Sequence, residues 1–329
     1  MADAAVLEVR RAVRAPLRAV AAAAPDSTVL VALSGGADSL ALLAATVAEG
    51  RGLGLRTGSV TIDHALQRDA TAVAADAAAI ATTLGAEPAE VVRVEVDGGG
   101  GPEAAARDAR YAALCSAARR HGAQAVLLGH TRDDQAESVL LGLARGSGAR
   151  SLSGMSPARE LDGVTYLRPL LGVARATTRA ACDQLGLAVW DDPHNLEAAY
   201  ARSRVRHELL PEVTRVLGPG AVDALARSAS LLRDDADALD TWAAEGLAAV
   251  RGSDGSLDAT LLRTYPTAVR TRILKRAAIE SGARPGSLTA SHVQQLDALV
   301  DRWHGQGEIA LPGPVAAERS CGRLTFRGR

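Results

Sequence analysis

The chain has 329 residues, 47% hydrophobic and 23% charged, the composition of a globular protein long enough for two domains. A net charge of −1 supplies no basic field for a nucleic-acid partner, and no apolar run reaches the ~18 residues of a membrane-spanning helix. Cys115, Cys182 and Cys321 lie far apart with no CxxC pair, so a disulfide framework, a zinc site and an iron–sulfur site lack support, and a reducing cytoplasm fits. Lys275 is the only lysine; the arginine, alanine and glycine excess is what a GC-rich genome produces and identifies no function by itself.

The opening segment "MADAAVLEVRRAVRAPLRAVAAAAPDS" predicts an amphipathic helix, not a secretory leader, because acidic residues precede its arginines and Pro16 interrupts it. Strand-like runs then follow at 28–33 (TVLVAL), 58–63 (GSVTID), 90–96 (EVVRVEV), 123–129 (AQAVLLG) and, more weakly, 164–170 (VTYLRPL). Helix-like stretches separate them, the pattern of parallel strands buried on both faces. The expectation is a doubly wound, mainly parallel five-stranded α/β sheet over residues 1–218. After Gly218-Pro219-Gly220 the texture becomes helical: Val222, Leu225, Ala229, Leu232, Ala236, Leu239 and Ala243 mark one face of a long helix. Helices near 266–282 and 287–303 and a terminal hairpin complete a smaller, mostly helical domain over 219–329.

Ligands of such sheets bind beyond the carboxyl ends of the strands, and the polar and glycine residues of this chain cluster there. The segment after the first strand, Ser34-Gly35-Gly36-Ala37-Asp38-Ser39, lacks the lysine of a Walker A loop and the spacing of a Rossmann fingerprint. Its glycines permit a tight turn, and its serines and the following helix N-terminus favour an anion. Asp38 is misplaced beside bare phosphate but suited to Mg²⁺ on a polyphosphate. A plain βα turn with an Asp or Ser cap is the alternative. In "GHTRDDQAESVL", Asp133, Asp134 and Glu137 crowd about one helical turn, which requires a neutralising cation or cationic substrate unless the acids are simply solvated. Arg107 and Arg110 share a helix face, as do Arg202 and Arg206.

The SGGADS string resembles the fingerprint of the N-type, or PP-loop, ATP pyrophosphatases, which cleave ATP between the α- and β-phosphates and activate an oxygen as its adenylate. That implies ATP contacts at Ser34, Gly35, Gly36, Ala37, Asp38 and Ser39, with Asp63, His64, Gly129 and His130 from the second and fourth strand ends. Segment 129–140 is similar to the GHxxDDxxET stretch of the tRNA-modifying branch, with Ser138 in place of threonine. "TIDHAL" departs from the DHGLR pattern at Ala65 and Gln67. Segments 145–155 and 190–211 resemble the tRNA(Ile)-lysidine synthetase family, the second matching Asp192, Pro193, Asn195, Tyr200, Arg202, Arg206, Leu209, Leu210 and Pro211.

The resemblance implies a ligase that joins lysine to C2 of the wobble cytidine of CAU-anticodon tRNA(Ile) through an adenylated cytidine. Its partners are ATP, L-lysine and tRNA, with no membrane, and both a monomer and a homodimer stay open. Asp38 and Asp134 would hold Mg²⁺. Asp133, Asp134 or Glu137 would hold lysine or take its proton, and Arg107 and Arg110 would contact phosphate or cytidine. Arg145, Asn195, Arg202, Arg204, Arg206 and His207 would face tRNA. A tRNA thiolase of the same superfamily and a non-catalytic nucleotide sensor are the alternatives; paired cysteines would favour the first, and ATP binding without transfer the second.

Overall fold

The computed structural model describes residues 4–63, 70–94, 102–146, 148–192 and 201–328. Their contacts form two compact units, Met1–Ser230 and Leu231–Arg329.

Unit 1 opens with α1 (Ala4–Ala23), which buries Val9, Val13 and Leu17, one face at four-residue steps. The chain then runs β1 (Thr28–Leu33), α2 (Ala37–Arg51), β2 (Arg56–Asp63), α3 (Ala70–Leu84), β3 (Ala89–Arg93), α4 (Pro102–Arg120), β4 (Ala123–Leu127) and α5 (Arg132–Ala144). After the short α6 (Ala149–Leu152) come β5 (Ala158–Leu161), β6 (Val164–Leu167) and α7 (Arg175–Gln184). The strand order is β3-β2-β1-β4-β6-β5, parallel throughout except for β5. The sheet therefore has six strands, one more than the sequence reading expects. The extra strand is the outer arm of a hairpin whose turn, Asp162-Gly163, has positive φ at both residues (52° and 74°). That is the two-residue geometry that favours Asp-Gly.

Both faces of the sheet are covered. On β1, Val29, Val31 and Leu33 pack with α1, α2 and α7, while Leu30 joins Leu114, Ala117 and Ala118 of α4 on the opposite side. This explains why the strands read as continuous apolar runs and not as an alternation. From β1 the chain first builds outward through β2 and β3, then returns to β1's other side with β4. The carboxyl ends of β1 and β4 thus frame the point where the winding reverses, the place where open α/β sheets bind ligands.

A helical stretch follows, α8 (Ala201–Arg204), a wide π turn at Val205–Leu209 and α9 (Leu210–Leu217); then α10 (Ala221–Val250) runs across the division between the units. Unit 2 contains β7 (Leu257–Asp258), α11 (Ala259–Thr264), α12 (Thr267–Glu280), α13 (Ala290–Asp301), β8 (Ile309–Leu311), β9 (Val315–Ser320) and β10 (Arg323–Gly328). The expected terminal hairpin is β9–β10, and it is the centre of a four-stranded antiparallel sheet ordered β7-β10-β9-β8. Its core joins Ile273 and Leu274 of α12, Leu296 and Leu299 of α13, and Val315 and Leu324 of the sheet.

Candidate active site

The loop after β1 is tied by its own side chains. Ser34 N and the Ser34 hydroxyl meet Ser39 Oγ at 3.1 and 3.2 Å, and Ser39 Oγ donates to Gly36 O at 2.9 Å. Gly35 has φ +79°, a left-handed conformation that glycine adopts without strain. Its carbonyl accepts the Trp190 N–H at 3.0 Å, so the segment after α7 is latched to the loop. Gly36 caps α2, placing Ala37, Asp38 and Ser39 in the helix's first turn. The β4–α5 segment comes close enough that a Cβ on Gly129 would lie 3.1 Å from backbone atoms of Asp38 and Ser39. Gly129 therefore lets two strand-end loops meet at one site.

On that second loop, Asp134 closes a capping box. Its Oδ2 accepts from Thr131 N (2.7 Å) and Thr131 Oγ1 (2.9 Å), leaving Oδ1 for other partners. Three arginines converge on the acids. Arg175 Nη2 donates to Asp134 Oδ1 and to Glu137 Oε1, each at 3.0 Å. Arg202 Nε lies 2.9 Å from Glu137 Oε2, and Arg206 donates to Glu137 Oε1 (2.8 Å) and Asp134 Oδ1 (3.0 Å). Glu137 is fully buried. Burial raises the Asp134 pKa, but Arg175 and Arg202 prevail and hold it well below the usual carboxylate range. Asp133 accepts the Arg175 backbone N–H at 2.9 Å, fixing the start of α7.

Asp38 is the exception. Burial pushes its carboxyl up to about 6, against the opposing Thr178 hydroxyl, which donates to Oδ1, and Arg175, whose Nε is 3.7 Å from Oδ2. Among the described residues, then, the four carboxylates of Asp38, Asp133, Asp134 and Glu137 face the guanidiniums of Arg175, Arg202 and Arg206. His130 adds no charge there at neutral pH, since burial lowers its pKa to about 4. At Asp38 burial outweighs the opposing Thr178 and Arg175. No group of three or more His, Cys, Asp and Glu side chains among the described residues is arranged to hold a metal. Asp38 and Asp134 share Arg175 as a cationic neighbour, and carboxylate oxygens are the donors that Mg²⁺ takes beside water and nucleotide oxygens.

Other candidates lie around this centre. Asp63 ends β2, buried, and accepts the Thr71 hydroxyl at 2.8 Å. Arg107 and Arg110 are exposed on α4, Arg107 lying 5.2 Å from the Tyr111 ring centroid. Arg145 is exposed at the carboxyl end of α5, about 16 Å of helix rise from Asp134. Arg202 and Arg206, expected to present a cationic face to RNA, turn toward Asp134 and Glu137; Arg204 and His207 on the same stretch are exposed. His64 and Asn195 lie outside the described residues. Sequence reasoning passed over Arg175 and Thr178, which belong to none of its motifs, and gave no role to Trp190, the first residue of segment 190–211. It also passed over Arg168, buried after β6, which donates to Tyr111 Oη at 3.2 Å and so supports α4. A cleft of about 530 Å³ beside the acids is lined by Asp133, Arg175 and Arg206 and by Leu210, Pro211 and Val222.

Comparison with known proteins fits this geometry. The PP-loop domain family matches residues 9–213, and the TilS substrate binding domain family matches residues 257–325. A tRNA(Ile)-lysidine synthase of Streptomyces coelicolor is 57% identical over 91% of this chain and 85% of its own. The chain belongs to the tRNA(Ile)-lysidine synthase family. A second family member, from Thermobifida fusca, is 54% identical over 96% of this chain and 95% of its own. As a lysidine synthase family member the chain is a ligase of the PP-loop class that uses ATP. The fold is shared more widely: the U34-tRNA thiolase NcsA from Methanococcus maripaludis superposes with TM-score 0.57 at 17% identity, covering 70% of this chain and 80% of that one. The cysteines separate the lysidine synthase chemistry from a thiolase reading. Cys115 and Cys182 are free and buried, and burial pushes the Cys182 thiol up to about 11, far from a reactive thiolate.

Proposed function

We propose that this chain adenylates the C2 oxygen of the wobble cytidine of a CAU-anticodon tRNA(Ile) and then joins the ε-amine of L-lysine to that carbon. The observation that carries the reading is the meeting of the β1 and β4 loops, where Gly129 brings the acid cluster against the Ser34–Ser39 turn.

The Ser34–Ser39 loop, with the N-terminus of α2, holds the pyrophosphate portion of ATP; pre-tied serines and a fixed glycine turn need no reorganisation when charge develops there. Asp38 and Asp134 would hold Mg²⁺, which supplies positive charge against the α- and β-phosphate oxygens when bound. Asp63 and His130 border the nucleotide from their strand ends. Arg107 and Arg110 approach the tRNA from the exposed face of α4, and Arg145, Arg204 and His207 give further cationic contacts to its phosphates.

Lysine enters by the cleft beside Asp133, its methylenes against Leu210, Pro211 and Val222. Its ammonium meets Asp133 at the cleft wall, and one of Asp133, Asp134 and Glu137 takes the proton that the attacking amine must lose. Attack at C2 breaks the bond to the adenylate oxygen, and AMP leaves with that electron pair.

Omitting lysine tests the first half-reaction. With labelled ATP and transcript, pyrophosphate should form and AMP should remain on the RNA; release of orthophosphate, or no tRNA dependence, would contradict the proposal.

A further inference from the structure

Arg175 begins α7, and its contacts link every acid of the site. Its backbone N–H is held by Asp133 at 2.9 Å, so the position of its side chain is set by the helix start. Nη2 then reaches Asp134 and Glu137 at 3.0 Å each. The neighbouring Nε of the same guanidinium behaves differently. Nε is buried without a hydrogen-bond partner, and its distance to Asp38 Oδ2, 3.7 Å, is too long for a bond. Nε therefore faces the Asp38 carboxylate without bonding to it. The arginine is anchored to one half of the site and stops short of the other.

We propose that Arg175 is a positioning residue that sets the cation preference of the Asp38–Asp134 pair. Through Nη2 it holds Asp134 and Glu137 in place. Through its permanent charge it repels a free divalent ion from the gap at Asp38. A cation that arrives with ATP brings phosphate charge with it, which offsets the repulsion and completes the site. The inference rests on the assignment of Asp38 and Asp134 as the ligand pair made above. It adds that the site admits a metal–nucleotide complex and discriminates against the bare ion.

The test is Mn²⁺ binding to the full chain, measured by electron paramagnetic resonance with Mn²⁺ alone and with Mn²⁺·ATP, for the wild type, Arg175→Met and Arg175→Lys. The wild type should bind Mn²⁺·ATP and bind free Mn²⁺ poorly. In Arg175→Met, free Mn²⁺ should bind at least about tenfold more tightly, because a repelling unit charge is gone. Arg175→Lys keeps the charge and should keep the poor binding of free Mn²⁺. It loses the fork that orients Asp134 and Glu137, so kcat should fall while the KM for ATP stays near the wild-type value. A folded Arg175→Met chain that binds free Mn²⁺ no better than the wild type overturns the proposal, as does an Arg175→Lys chain that behaves like Arg175→Met. Should Arg175→Met not fold, Arg175→Gln answers the same question. Failure of the wild type to bind Mn²⁺·ATP would instead remove the ligand pair itself.

Discussion

Asp38 carries a cost of burial that its neighbours do not remove. It is the carboxylate that burial penalises and that no guanidinium fully compensates. Asp38→Asn should therefore raise the melting temperature of the ligand-free protein at pH 7.5, at about 2–4 °C for each kcal/mol gained in a chain of this size, while abolishing turnover. Calorimetry with and without ATP checks this; an unchanged or lower melting temperature would show that the carboxylate is satisfied in the free protein. The same residue marks the reach of sequence reading. Ser34–Ser39, Asp133, Asp134 and Glu137 are legible because each lies in a short run with its own chemistry. Arg175 and Thr178 are not, since they contribute single side chains from a helix whose local sequence, RATTRAACDQ, reads as an ordinary amphipathic surface. Arg202 and Arg206 share a helix face, as their spacing requires, but spacing does not say whether that face meets solvent or a buried acid.

At the scale of elements, α1 is bound to α2 by charge as well as by its apolar face. Arg10 Nε and Arg14 Nε each lie 2.7 Å from Glu49, whose side chain is 9% exposed. The Arg14 hydrogen bond leads in lowering the Glu49 pKa to about 2, from 4.5. The folded chain thus holds this proton more weakly than the unfolded chain does. The stability from Glu49 is full above pH 4.5 and is lost as pH falls through about 2. Glu49→Gln should cost about 1–2 kcal/mol in urea denaturation at pH 7, with the difference shrinking in acid. A difference independent of pH would contradict the assignment. The strand runs β1, β2, β3 and β4 are legible because burial on both faces makes them continuous apolar segments. The edge strand β5, AREL, is exposed along three of its four residues and carries no such signal; only the Asp162-Gly163 turn announces it. In unit 2 the segment RTYPTAVRTRILKR, residues 263–276, carries five basic residues and no acid. The structure pairs Arg270 with Asp297, Arg272 with Asp240 and Arg276 with Glu280, and leaves Lys275 exposed. Sequence shows the Arg276–Glu280 pair at i,i+4 within α12 but cannot see that the partners of Arg270 and Arg272 come from other helices.

Over the whole molecule, unit 1 is the better recorded in sequence, since its Ser34–Ser39 turn and its acid cluster are contiguous strings placed at the switch between β1 and β4. Unit 2 is held by a dispersed apolar core drawn from α10, α12, α13 and its sheet, so its helical periodicity is visible while the pairing of β7, β8, β9 and β10 is not. The family match over 257–325 attaches a substrate-binding domain to that unit. The account as a whole requires ATP cleavage, lysine and one tRNA to be used together. The most direct test gives the full chain ATP, labelled L-lysine and a panel of transcripts that includes tRNA(Ile) and tRNA(Met), both with CAU anticodons. Label should enter only tRNA(Ile), at the wobble cytidine, with AMP and pyrophosphate released in equal amounts; ATP binding without label in that RNA, or label in both CAU transcripts alike, would contradict it.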